Sequence, residues 1–254
     1  MTAAVAVTNL ILGTAYTGYG VLTAMEMKRG WRTRGFSHFG AAWIFMAFTC
    51  GPHHLFHGFH AAFEGRGGGA LDFYAVLVGL PVGVIWLLLR IEAMSRGRGD
   101  RFISGNPLWL LAMPTIAAVY LTTLGFGIFS LTTESLRFSS MVPSNVLLLF
   151  IYMTIGYFLL RTQLRNRPRA GGWSVSGLSL AAVFPTCALM HVVFGFYAMS
   201  GLYEWDIHAV VIDWLAVPAG LYFLWVVRAL YRDALRDWNN EMSSQVRRQL
   251  VVAR

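Results

Sequence analysis

Seven long apolar stretches dominate the chain, at about 3–25, 38–62, 70–94, 107–131, 142–161, 174–200 and 206–231. At 1.5 Å per residue each is long enough to cross a hydrocarbon layer roughly 30 Å thick. Backbone groups in such a layer find no water, so a single crossing segment satisfies its own hydrogen bonds only as a helix. With 56% hydrophobic and 13% charged residues, and a mean hydropathy of +0.55, the chain lies outside the usage of water-soluble domains. The sequence therefore predicts an all-α, polytopic seven-helix bundle over residues 1–231, multi-pass in the cell membrane with the bilayer as its main partner. No basic residues or small-residue cleavage pattern mark the first stretch as a signal peptide, so a retained helix is expected there.

The net charge of +8 is distributed by topology. Lys28, Arg29, Arg32 and Arg34 follow the first stretch; Arg90, Arg96, Arg98 and Arg101 follow the third. Arg161, Arg165, Arg167 and Arg169 follow the fifth, and Arg228, Arg232, Arg236, Arg247, Arg248 and Arg254 follow the seventh. Of twenty basic residues only Arg66 and Arg137 fall on the other side. The excess of basic residues on cytoplasmic loops then predicts an N-terminus outside and a C-terminus in the cytoplasm. Residues 28–36 read as a short basic loop, and 232–254 as an amphipathic basic tail on the cytoplasmic surface. No soluble basic domain exists to bind nucleic acid, so that class is set aside.

An offset of 137 residues brings the second stretch onto the sixth without a gap. Thr49, Cys50, His54, Gly58, Phe59 and Ala61 fall on Thr186, Cys187, His191, Gly195, Phe196 and Ala198. Ser37 and Gly40 fall on Ser174 and Gly177, and Pro81 and Gly83 on Pro218 and Gly220. One residue out of that register, Asn9, Tyr16, Gly20 and Arg29 match Asn145, Tyr152, Gly156 and Arg165. The pattern predicts a parallel duplication, with repeat one over 3–94 and repeat two over 142–231, joined by a linker helix at 107–131.

Four of the seven histidines, His53, His54, His57 and His60, crowd into eight residues of the second stretch, beside one of two cysteines, Cys50. Ionisable groups are costly inside a membrane and mark sites. At 100° per residue, His53, His57 and His60 share one helix face within about 60°, and Cys50 and His54 share the adjoining one. Histidines three or four residues apart suit one metal ion. His53, His57 and His60 are met in repeat two by Met190, Phe194 and Tyr197, whereas Leu71, Asp72 and Val76 are met by His208, Ala209 and Asp213. The metal-ligand candidates are therefore His53, His54, His57, His60, His191, His208, Asp213, Cys50 and Cys187, with Asp213 and Asp72 as carboxylates for catalysis.

Three chemistries compete. A transition-metal centre of copper, iron or zinc, redox-active or metal-activated, would use imidazoles with thiols and carboxylates. A b-type haem would take His54 and His191 as axial ligands. A proton or cation pathway would use Asp213 and the histidines as relays. Blander roles stand beside these: Asp72 as a first-turn carboxylate, His60 and His208 as interfacial tips, His38 as structural, and both cysteines as packing. The favoured reading is a membrane metalloprotein with its centre in the outer half. A haem- or pigment-binding subunit of a larger complex or homo-oligomer, a hydrolase of a lipophilic substrate and a cation or proton transporter are the alternatives.

Two resemblances bear on this. Leu71-Asp72-Phe73, the late histidines of the second stretch and Asp206-Ile207-His208-Ala209 resemble the seven-helix metal-hydrolase superfamily of alkaline ceramidases and adiponectin receptors. That resemblance implies zinc held by one of these histidines and a His-x-x-x-His pair in the last helix, where this chain has His208 and Ile212, with Asp213 one residue late. Met190-His191 in duplicated helical units faintly resembles the MHYT sensor domain, for which copper is the implied metal. A retinal protein is excluded, because the only lysine, Lys28, lies in the basic segment after the first stretch.

Overall fold

A computed structural model describes residues 1–65, 69–95, 97–105, 125, 141–200 and 207–237. Its helices are α1 (Thr2–Arg34), α2 (His38–Phe59), α3 (Ala70–Met94), α4 (Met141–Ala170), α5 (Val175–Ser200) and α6 (Ile207–Tyr231). The expected linker helix at 107–131 and nearly all of the basic tail lie outside the described residues. Five of the six helices are long and apolar enough to cross a membrane; α2, which carries the histidines, is not among them. Large apolar side chains such as Phe45, Leu88, Phe150 and Leu215 point outwards, as a lipid-facing surface requires.

Helix ends differ from expectation in one consistent way. The segment 28–36 is no loop: α1 runs on to Arg34 before Gly35 turns with φ 75°, and α4 likewise continues through its basic residues to Ala170. Hydropathy detects the edge of the apolar layer, whereas arginines beyond that edge are good helix formers that complement the negative end of the helix dipole. At the other end, α2 leaves α geometry for one wider π-type turn, His60–Glu64, closed by Gly65 at φ 66°. Two short strands, β1 (Phe102–Ile103) and β2 (Trp173–Ser174), pair antiparallel with Phe102 opposite Ser174. They are a small addition to an otherwise helical chain.

Helices α1, α2 and α3 pack together, α1 touching both others, and α4 contacts α5 and α6 in the same way. Between the two sets, α2 packs on α6 and α3 on α5. One core runs through the middle, with Tyr16, Trp43, Met46, Tyr152, Phe184 and Phe223 all buried. The tightest helix crossing is α1 on α2. A Cβ on Gly51 would stand 2.3 Å from Thr17 Oγ1 and 2.9 Å from the Thr17 backbone nitrogen, and one on Gly13 would stand 2.9 Å from the Gly51 carbonyl oxygen. Small residues let these backbones approach closely, which supplies helix association in the absence of a hydrophobic drive.

At the basic end, two reciprocal caps tie the sets together. Ser37 Oγ accepts the Gly40 N–H at 2.8 Å and donates to Asp237 Oδ1 at 2.7 Å, while the Phe39 N–H donates to Asp237 Oδ2 at 2.9 Å. Ser174 Oγ accepts the Gly177 N–H at 2.9 Å and donates to Asp100 Oδ2 at 2.6 Å, while the Ser176 N–H donates to Asp100 Oδ1 at 2.9 Å. Each carboxylate sits where a helix start presents free N–H groups and positive potential.

Gly51→Ala is expected to destabilise the fold by about 1–3 kcal/mol through overpacking against Thr17, read as a lower unfolding midpoint in detergent. Asp237→Ala, by stripping the start of α2 of two acceptors, is expected to cost a further 1–3 kcal/mol or so in the same measurement.

Candidate functional site

The end of the bundle opposite the caps holds a chain of buried polar side chains. It begins with an asparagine on the first helix of each set. Asn9 Nδ2 donates to the Val5 carbonyl at 2.9 Å, and Asn145 Nδ2 donates to the Met141 carbonyl at 2.8 Å and to Asp213 Oδ2 at 2.9 Å. Those acceptors cannot donate, so both amides are fixed with the oxygen facing the other way. His54 Nδ1 lies 2.8 Å from Asn9 Oδ1, and His191 Nδ1 lies 2.7 Å from Asn145 Oδ1. An amide oxygen only accepts, so each Nδ1 carries the hydrogen and each neutral ring keeps its lone pair on Nε2.

His53 completes the group from α2. Its Nδ1 is 3.2 Å from Asp213 Oδ1, with the side chains 8% and 1% exposed. Asp213 thus accepts from α2 through His53 and from α4 through Asn145. Three imidazoles, His53, His54 and His191, are held at Nδ1 by side-chain oxygens. The His53 ring centre is 6.3 Å from that of His54 and 6.1 Å from that of His191.

Directly below sit the two cysteines, each meeting a tyrosine of the other set. Cys50 Sγ is 3.4 Å from Tyr152 Oη, and Cys187 Sγ is 3.5 Å from Tyr16 Oη. Tyr16 also packs edge-on to His54 and Tyr152 to His191, with ring centres 5.6 and 5.3 Å apart. A cavity of about 10 Å³ is lined by His53, His54, His191, Asp213, Cys50 and Cys187, room for about one water. A second of about the same size lies between Tyr16, Tyr152 and the two thiols.

The remaining candidates lie apart from this group. His57 is buried against Phe194, ring centres 5.1 Å apart. His60, a quarter exposed, faces Glu64 across the π-type turn, Nδ1 to Oε2 being 3.2 Å. Asp72 is buried at the start of α3 and accepts the Gly69 N–H at 3.3 Å, the first-turn role. His208 belongs to the first turn of α6, and its side chain is outside the described residues, as are Glu204 and Asp206. His38, at the basic end, meets Tyr222 Oη at 2.8 Å.

Asn9, Asn145, Tyr16 and Tyr152 are site residues that a search for ionisable groups passes over. Their signal in the sequence was their recurrence at a fixed offset in otherwise apolar helices. Among the described residues, no three His, Cys, Asp or Glu side chains stand close enough together to hold a metal ion as they are. No protein-family model matches the chain, and no curated protein or solved structure matches it at a significant level.

Asp213→Ala would leave the His53 Nδ1–H and one Asn145 N–H without their acceptor in a buried site. The expected loss is on the order of 3 kcal/mol of stability, whereas Asp213→Asn, which keeps an acceptor oxygen, is expected to lose less. Chemical unfolding in detergent, with the two variants side by side, checks this order.

Proposed function

We propose that the chain is a seven-helix membrane metalloprotein that binds one transition-metal ion among His53, His54 and His191, with Asp213 orienting His53. The supporting observation is that all three buried imidazoles are tied at Nδ1 to a side-chain oxygen. A metal-ligating histidine characteristically makes that bond with its second nitrogen, which fixes the tautomer and leaves Nε2 for the ion. Two imidazoles on opposite sides of an ion, with bonds of about 2.0 Å, have ring centres roughly 6 Å apart, the spacing of His53 and His191. A shared ion would draw His54 in towards them. The nearby thiols of Cys50 and Cys187 favour a soft ion, copper(I) before zinc or iron. The space among these groups suits a single ion and is far short of a porphyrin, so haem b ranks below a lone metal.

On this reading helices α1–α3 and α4–α6 are two copies of one unit, joined by a seventh helix at 107–131. The N-terminus lies outside, the basic end faces the cytoplasm, and the metal lies in the outer half. The recurrence of Ser–Asp caps, Asn–His bonds and Tyr–Cys contacts at offsets of 136 or 137 residues supports the duplication. The distribution of basic residues supports the orientation.

A second reading has its own support. The polar atoms continue from Asp213 and His53 through the thiols and tyrosine hydroxyls towards the basic end, as a proton relay requires. Proton flux in liposomes that persists in metal-free protein would favour the relay over the metalloprotein.

Metal analysis with a visible spectrum, after loading with copper(I), zinc(II) or iron(II), tests the first reading. One equivalent of metal is expected, lost in His53→Ala and His191→Ala. Affinity should fall about 10- to 100-fold in Asn145→Ala, which keeps every ligand but loses the orienting oxygen. Wild-type protein that takes up no stoichiometric metal would sink the proposal.

A further inference from the structure

The largest cavity in the molecule is elsewhere, at the basic end between the two helix sets. It measures about 160 Å³, against about 10 Å³ for those at the histidines. Its walls are apolar, built by Leu89, Leu159, Leu180 and Val227, and one side is aromatic, built by Tyr19 and Trp86. Those two rings stack with centres 3.6 Å apart. Arg98, Asp100 and Gln163 also line it, and exposed Arg98 marks its mouth. A void of about 150 Å³ is enough to take a benzene ring.

One buried donor in this wall is unmatched. Arg90 is 6% exposed; its guanidinium pairs with Glu26 through Nη2 and lies over the Tyr19 ring, 5.4 Å from the centroid. Its Nε–H has no hydrogen-bond partner among the described residues. Buried polar groups are normally satisfied, and an exception invites a partner. Glu26 already neutralises Arg90, and Arg98 and Asp100 at the cavity are of opposite sign. An anion would therefore meet no uncompensated charge, while a neutral acceptor would complete the hydrogen bond.

We infer that this cavity binds a flat, neutral, lipophilic ring bearing a carbonyl acceptor, the chemistry of a quinone head group. The ring would lie among Leu159, Leu180 and Val227 beside the Tyr19–Trp86 pair, a carbonyl oxygen accepting from Arg90 Nε–H. This site is separate from the histidines and does not depend on metal there.

The probe is duroquinone, whose fully substituted ring does not alkylate thiols, titrated into the detergent-solubilised full chain while tryptophan fluorescence is followed. Trp86 lines the cavity and Trp43 packs edge-on to it, ring centres 3.9 Å apart, so bound quinone is expected to quench saturably. Tetramethylbenzene, the same shape without carbonyls, should compete at least about tenfold more weakly, the worth of a hydrogen bond to a charged donor. Arg90→Lys keeps the charge beside Glu26 and removes Nε–H, and should weaken duroquinone by a similar factor. Val227→Phe fills the cavity from another wall and should abolish saturable quenching, with circular dichroism and elution volume reporting that it is folded. Quenching that stays linear in the wild type, or is unchanged in folded Val227→Phe, overturns the inference. So does equal competition by tetramethylbenzene, which indicates an apolar void alone, or stronger competition by decanoate, which indicates an anion site.

Discussion

The amide of Asn145 is the joint on which the histidine end depends. One side chain on α4 accepts from His191 on α5 and donates to Asp213 on α6, and Asp213 in turn accepts from His53 on α2. Four helices from both sets are connected through eight polar atoms in a region with almost no exposure. Each bond there is worth more than at a surface, and each missing one costs more, because no water can substitute. Where the lipid-facing exterior contributes little directional preference, such a network gives the packed helices a single register.

The two sets are alike in their contacts and unlike in their chemistry. Asn9–His54 and Asn145–His191 are equivalent bonds, as are Tyr16–Cys187 and Cys50–Tyr152. His53 and Asp213 have no equivalents: Met190 and Val76 occupy the matching positions, and both are buried apolar side chains. The one pair that breaks the likeness is also the pair that crosses between sets, with one partner on α2 and the other on α6. A matched framework therefore supplies rigid positions, and two departures from it supply the ionisable centre.

Much of the fold was legible in the amino-acid sequence. The bounds of α3, α5 and α6 fall within a residue of the apolar runs, because Asp, Glu, Ser and Arg close those runs abruptly. The ends of α1 and α4 were not legible, since the apolar layer ends before the helix does. At the site, the density of histidines in 53–60 pointed to the right helix, but periodicity gave the wrong companions. His57 and His60 share a face with His53, yet His57 packs on Phe194 and His60 turns to Glu64. It is His54, on the adjoining face, and His191 that stand beside His53. Which face looks inwards depends on how α1, α5 and α6 surround α2, and no local pattern carries that. Asp100 and Asp237 were passed over as loop carboxylates, although they too are 137 residues apart.

Those two carboxylates also set an order of events. Ser37, near the start of the chain, has its acceptor 200 residues later at Asp237, and Ser174 finds its own 74 residues back at Asp100. A ribosome delivers Asp100 before the helix it caps, so α5 can be closed as it emerges. Helix α2 must wait, its start open to water or to a transient partner, until the final helix has been made and inserted. The last segment synthesised is thus the one that secures the helix bearing the histidines, and truncation of the C-terminal end would be felt first at a helix made near the beginning.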